Sequence, residues 1–203
     1  MTDQVLLSAL LAGHYMEEPD VSEAQPLRDE TDESRQASYA GWENVLHYCA
    51  SELFEQQFFT NDYVIIQIDT DVCGQKNFNI QLKTGNKDRS TAQIISDVKE
   101  HIIGYITQNI YNKYKDRIIF AISIHSLECW LLPLYGKTAI EKGRKRQCEM
   151  HLINCLRRFN IIHAKDFSTY SLITEKFLEK ANIEVASLSN ESLDYFVKSL
   201  PAI

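Results

Sequence analysis

The chain has 203 residues, 44% of them hydrophobic and 10% aromatic, with a formal net charge of −7. That is enough apolar material for one domain with a core of ordinary size. No apolar run reaches membrane-spanning length and no basic-then-apolar leader opens the chain, which together predict a soluble, cytoplasmic protein. Five cysteines (Cys49, Cys73, Cys129, Cys148, Cys155), an odd number with no CxxC pair, argue against a disulfide framework or a zinc cluster and predict buried thiols.

The charge is unevenly placed. Residues 1–40 hold nine acids against Arg28 and Arg35, so the rest of the chain is neutral overall. Within that remainder, residues 137–158 carry seven basic residues, Arg144 and Arg146 among them, against Glu141 and Glu149. Such a patch is suited to phosphate, although a solvated helical face is the commoner use of a basic run.

In chain order, Val5, Leu6, Ala9 and Leu10 have the spacing of a helix over 2–11, with Thr2 or Asp3 as N-cap and Gly13 as its stop. Residues 16–40, rich in Glu, Asp, Ser and Gln with Pro19 and Pro26, read as an acidic loop or flap. Trp42, Val45, Leu46, Cys49 and Leu53 predict an inward helical stripe. It feeds Val64-Ile65-Ile66-Gln67-Ile68-Asp69-Thr70-Asp71, a β-branched run expected to form a central parallel strand covered on both faces.

That strand ends in two carboxylates one residue apart. If the extended backbone continues, Asp69 and Asp71 share a face and Thr70 takes the other. Ligands of open parallel sheets bind beyond the carboxyl ends of the strands, and hard oxygen donors there suit Mg²⁺ or Mn²⁺. An Asp-rich turn that merely stops a strand would look the same.

Phe78 to Leu82 predicts a short extended piece, followed by the polar stretch Lys83–Arg89, in which Lys83 and Lys87 are candidate phosphate contacts together with Arg144 and Arg146. Ser90 or Thr91 caps a long helix reaching about Tyr111. A second apolar run, 117–124, then completes a strand–helix–strand crossover. Ser126 is placed to cap a helix that holds Glu128 in its first turn and fades or kinks at Pro133. Glu128 thereby joins Asp69 and Asp71 at one sheet edge, and His125 reads as a hydrogen-bonded loop residue. A basic amphipathic helix is expected over 144–159, with Met150, Ile153 and Leu156 or Cys155 inward. Helices at 170–180 and 192–200 follow, separated by 182–185, with Asn190 as a cap for the last.

A buried strand ending in Asp69-Thr70-Asp71, a crossover helix, a second buried strand and then Ser126-Leu127-Glu128-Cys129-Trp130-Leu131-Leu132 resemble the Toprim fold. The small Toprim-like and OLD-type nucleases of bacterial anti-phage defence loci are the nearest likeness, and Ser189 to Phe196 is similar to their last helix. The resemblance implies a Rossmann-like, mainly parallel α/β sheet flanked by helices. The Toprim-like core would span 41–136 and a helical C-terminal extension 137–203, in a single domain. It also implies a metal-dependent phosphodiesterase acting on DNA or RNA in antiviral defence, with an ATPase partner. Asp69 and Asp71 match the family's metal-binding DxD, and Asp3 matches the trailing acid of its first motif. The glutamate of that motif has no counterpart in this sequence. Either the native start lies upstream of Met1, or Glu128 takes its place as ligand or proton acceptor, or the base is lacking. A strand lost with that glutamate would leave an edge for a partner or a second copy to cover.

Two other readings compete. Asp71 with Gln81-Leu82-Lys83 imitates the PD-(D/E)xK nucleases, which requires the 78–83 segment to pair in the sheet beside Asp71. A non-catalytic Toprim-like binding or regulatory subunit is the third.

Overall fold

The computed structural model describes residues 2–24 and 41–202. Most of the acidic flap expected over 16–40 therefore lies outside the described residues. The protein is α/β, 63% helical, with a small parallel sheet. No helix among the described residues is long and apolar enough to cross a membrane. Two compact units are present, one of residues 1–21, 69–71 and 122–203, the other of 22–68 and 72–121.

After α1 (Thr2–Tyr15) of the first unit, the second unit runs through α2 (Gly41–Cys49), α3 (Glu52–Gln56) and the body of β1 (Val64–Asp69). The helical stripe expected from Trp42 to Leu53 breaks at Ala50 and Ser51, and Leu53 is exposed as a result. Side chains of β1 alternate between buried and half-buried, so its two faces are not equally covered as its apolar sequence predicted. Phe54 meets Phe58 edge to face, and Phe58 stacks on Tyr114 with centroids 4.3 Å apart. The Arg117 guanidinium lies over Phe58 and donates to the carbonyls of Phe58, Asn61 and Asp62, which ties the turn before β1 to the start of β4 (Ile118–Ser123). One planar cation thereby satisfies three carbonyls that leave no regular ladder.

The segment expected to be extended at 78–82 is not a strand. The two-residue strands β2 (Lys83–Thr84) and β3 (Lys87–Asp88) pair only with each other, antiparallel, around Gly85 at φ +60°. Such a turn needs the left-handed conformation that glycine adopts without a Cβ clash. The long helix predicted after Ser90 is real but divided: a capping box of Ser90 and Gln93 opens α4 (Thr91–Tyr105), Ile106 turns to extended backbone as it buries itself, and α5 (Gln108–Tyr114) follows.

In the first unit, α1 (Thr2–Tyr15) runs straight through Gly13. The glycine is there for packing: a Cβ at that position would stand 1.8 Å from the Phe177 carbonyl oxygen. The helix α6 (Glu128–Tyr135) likewise continues through Pro133. Proline has no N–H for the carbonyl four residues back, and that carbonyl, of Cys129, accepts instead from Asn190 Nδ2 at 3.0 Å. Asn190 also caps α11 (Glu191–Ser199) by accepting from the Leu193 N–H, as its position in the sequence predicted. Trp130, fully buried, stacks on Phe196 and donates through Nε1 to Ser192 Oγ at 2.9 Å.

After α7 (Ala139–Lys142), residues 144–147 are not helical, and α8 (Cys148–Leu156) begins only after Gln147 at φ +52°. Its inward residues are Cys148, Leu152, Cys155 and Leu156; Met150, expected inside, is exposed. The reason is a cross-link: Cys129 and Cys148, both buried with Cα atoms 5.0 Å apart, form a disulfide between α6 and α8. This corrects the expectation of five thiols, since Cys49, Cys73 and Cys155 alone remain outside a disulfide. Asp166 caps α9 (Phe167–Thr174), and a turn of 3-10 helix at Glu175–Leu178 precedes α10 (Lys180–Ser189), which takes in the 182–185 segment expected to separate two helices.

Candidate functional site

The last residues of β1 and β4, Asp69 and Ser123, lie side by side, and Ser123 Oγ donates to Asp69 Oδ1 at 2.5 Å. Beyond Asp69 the chain does not stay extended. Thr70–Gly74 forms a 3-10 turn, so Asp71 reaches the region by a turn rather than by strand alternation. Thr70 is buried and accepts from the His125 N–H at 2.7 Å, while the Asp71 N–H donates to the His125 carbonyl at 3.0 Å. This reciprocal pair fastens the loop after β1 to the loop after β4. His125 adopts φ +74° to make it, a conformation that costs a residue with a Cβ about 1 kcal/mol.

Glu128 is the first residue of α6 and is 8% exposed. The Tyr170 hydroxyl donates to Glu128 Oε1 at 2.6 Å, and Lys165 Nζ stands 3.8 Å from the same oxygen and 3.0 Å from Glu149 Oε2. Burial works to raise the Glu128 carboxyl. Hydrogen bonds from Ser126, Tyr170 and its own backbone N–H, with the Lys165 charge, outweigh that and hold it below the usual range. Ser126 thus serves the carboxylate rather than capping the helix.

Asp69 is held the other way. Burial, with the charges of Asp3, Glu128 and Asp71 added and the Ser123 bond only partly offsetting them, pushes its carboxyl up to about 8. Asp3, in the first turn of α1, is also raised, by burial first and then by Glu128. Its side chain is open to solvent, so protein crowding around a wetted group, not enclosure, is the cause we assign. Lys165, disfavoured by burial, is kept above the ordinary lysine range by Glu149, Glu128 and Asp3.

The structure therefore brings Asp69, Asp71 and Glu128 into one electrostatically coupled group, and adds Asp3 from α1. Carboxylates are hard oxygen donors of the kind that suit a divalent magnesium or manganese ion. Among the described residues no group of three His, Cys, Asp or Glu side chains is arranged to hold a metal as it stands.

Lys83 pairs with Asp88 across the β2–β3 hairpin, whose tip leads to Lys87, in the second unit. Arg144 and Arg146 are exposed between α7 and α8. Gln81 is outside any strand, and β2 does not pair with β1, so the arrangement that a PD-(D/E)xK site requires is not formed. Sequence reasoning missed Ser123, Lys165 and Tyr170. A polar residue closing the apolar run Ile118–Ile122 was a readable signal for the serine, and the other two carry none.

Comparison with known proteins finds no matching protein family, no matching curated protein and no matching solved structure.

Proposed function

We propose that this protein is a metal-dependent phosphodiesterase acting on nucleic acid, built on a Toprim-like fold. The observation that carries the reading is the convergence on Asp69 of Asp3, Asp71 and Glu128 at the carboxyl ends of two adjacent strands, with the Asp69 carboxyl displaced to about 8. The strand, crossover and strand order and the Ser126–Leu132 stretch support it through the family likeness, as does the parallel pairing of β1 and β4. A role in phage defence beside an ATPase partner rests on that likeness alone.

In this reading Asp69 and Asp71 would hold the ion and Glu128 would complete the set. A bound Mg²⁺ or Mn²⁺ would neutralise phosphate charge and make water a better nucleophile. Ser123 orients Asp69 by donating to Oδ1. The His125 backbone sets the distance between the Asp71 and Glu128 loops through its two hydrogen bonds. Alternatively Glu128 would accept a proton through water. Lys165, about half exposed, supplies the positive charge that a phosphate oxygen would meet beside the carboxylates.

The test is calorimetric titration of Mn²⁺ into the protein and into the variant Asp69→Ala/Asp71→Ala, followed by cleavage assays on single- and double-stranded DNA and RNA. Affinity in the micromolar to sub-millimolar range that the double substitution abolishes supports the reading. Absence of binding in both proteins overturns it.

A further inference from the structure

Tyr170 is nearly fully buried, at 1% exposure, yet its hydroxyl ends on a carboxylate rather than on a backbone carbonyl. The helix that carries it is fastened on both sides of the residue. Asp166 caps the N-terminus by accepting from the Thr169 N–H at 2.7 Å, and Thr174 Oγ1 donates to the Tyr170 carbonyl at 2.6 Å. The ring also leans on His163, with centroids 5.9 Å apart. A phenol held this way cannot follow the carboxylate; the carboxylate must follow the phenol.

The Glu128 carboxylate is also met by Ser126, by its own backbone N–H and by Lys165, but none of these is held as the Tyr170 ring is. A glutamate has three side-chain torsions, the last of them broad, so a helix-terminal glutamate samples many directions unless something stops it. Ser126 bonds the same carboxylate from the loop before α6, but as a hydroxyl on a short loop it rotates to suit its partner. The buried, 2.6 Å bond from the aromatic ring ties Glu128 Oε1 to the packed interior.

We infer that Tyr170 is a positioning residue for the proposed metal site, acting through Glu128: its hydroxyl pins Oε1 and so sets the direction in which the carboxylate is offered to a divalent cation. This rests on the metal-dependent reading above. Residues that hold a metal ligand in place typically matter for affinity by 10- to 100-fold. A core tyrosine that merely needed an acceptor would matter for folding and not for the ion.

The experiment is a double-mutant cycle read by Mn²⁺ calorimetry on the full chain: the unsubstituted protein, Tyr170→Phe, Glu128→Gln and the pair together. Phenylalanine keeps the ring in its pocket and removes only the donor. We expect Tyr170→Phe to weaken Mn²⁺ binding roughly 10-fold or more, and to change it less than about 2-fold when Glu128 is already glutamine. Retained affinity in Tyr170→Phe, or an equal loss in both backgrounds, overturns the inference while leaving the metal site standing. No Mn²⁺ binding to the unsubstituted protein overturns the metal reading and this inference with it.

A second measurement covers the case in which Tyr170→Phe fails to fold. With 3-fluorotyrosine placed at position 170, the ¹⁹F resonance should shift on Mg²⁺ addition with the same saturation as the calorimetric curve. A resonance that ignores saturating Mg²⁺ overturns the inference.

Discussion

Ser123 and Asp69 end two parallel neighbouring strands, and the hydrogen bond of 2.5 Å between them works against an otherwise upward displacement of the Asp69 carboxyl. Because the folded protein binds that proton more tightly than the unfolded chain does, Asp69 contributes stability that is complete below pH ~4 and is lost as pH rises towards about 8. The metal-free protein should therefore show a fall in urea midpoint between pH 5 and 8. Asp69→Asn, which keeps an acceptor for Ser123, should flatten that fall. An unchanged pH slope in the variant would mean that Asp69 does not carry the displaced proton.

His125 holds φ +74° while its N–H and carbonyl serve Thr70 and Asp71. Glycine adopts that backbone without a Cβ clash, so His125→Gly should cost no stability and gain up to about 1 kcal/mol, whereas His125→Val should lose at least that much. Thermal unfolding of the two variants beside the parent decides it.

The Cys129–Cys148 bond closes a loop with a sequence separation of 19. A cross-link of this length contributes on the order of 3 kcal/mol by restricting the unfolded chain. Thiol titration in denaturant should count three free groups before reduction and five after it. Urea unfolding with and without a phosphine reductant should then separate by a shift of that order.

Gly13 faces the Phe177 carbonyl oxygen so closely that a Cβ would sit 1.8 Å away. A helix interior ordinarily prefers alanine to glycine by about 1 kcal/mol. Here the sign should reverse: Gly13→Ala is expected to destabilise by roughly 2–3 kcal/mol, because two backbones must separate to admit one methyl group. A variant as stable as the parent would show that α1 shifts without cost.

Much of the site's outline was legible in advance. The runs expected over 64–71 and 117–124 form the strands Val64–Asp69 and Ile118–Ser123, and Glu128 opens a helix. The Asp69–Asp71 spacing misled in one respect, since the 3-10 turn at Thr70 removes strand alternation just where the argument used it. Lys83, Lys87, Arg144 and Arg146 are conspicuous by composition, whereas Lys165, which stands beside Glu128, is not.

The strands at β1 and β4, the helices α1 and α4 and the Ser90 and Asn190 caps were legible from the sequence alone, because each depends on backbone preferences and on side chains within a few residues of one another. Tertiary structure alone decided that Tyr170 meets Glu128 across 42 residues, that Asn190 satisfies the carbonyl Pro133 leaves open, and that Cys129 finds Cys148. Those pairings depend on which helix faces come together. Burial, not local spacing, sets that choice, because it is the removal of whole faces from water that determines which side chains are left within reach of each other.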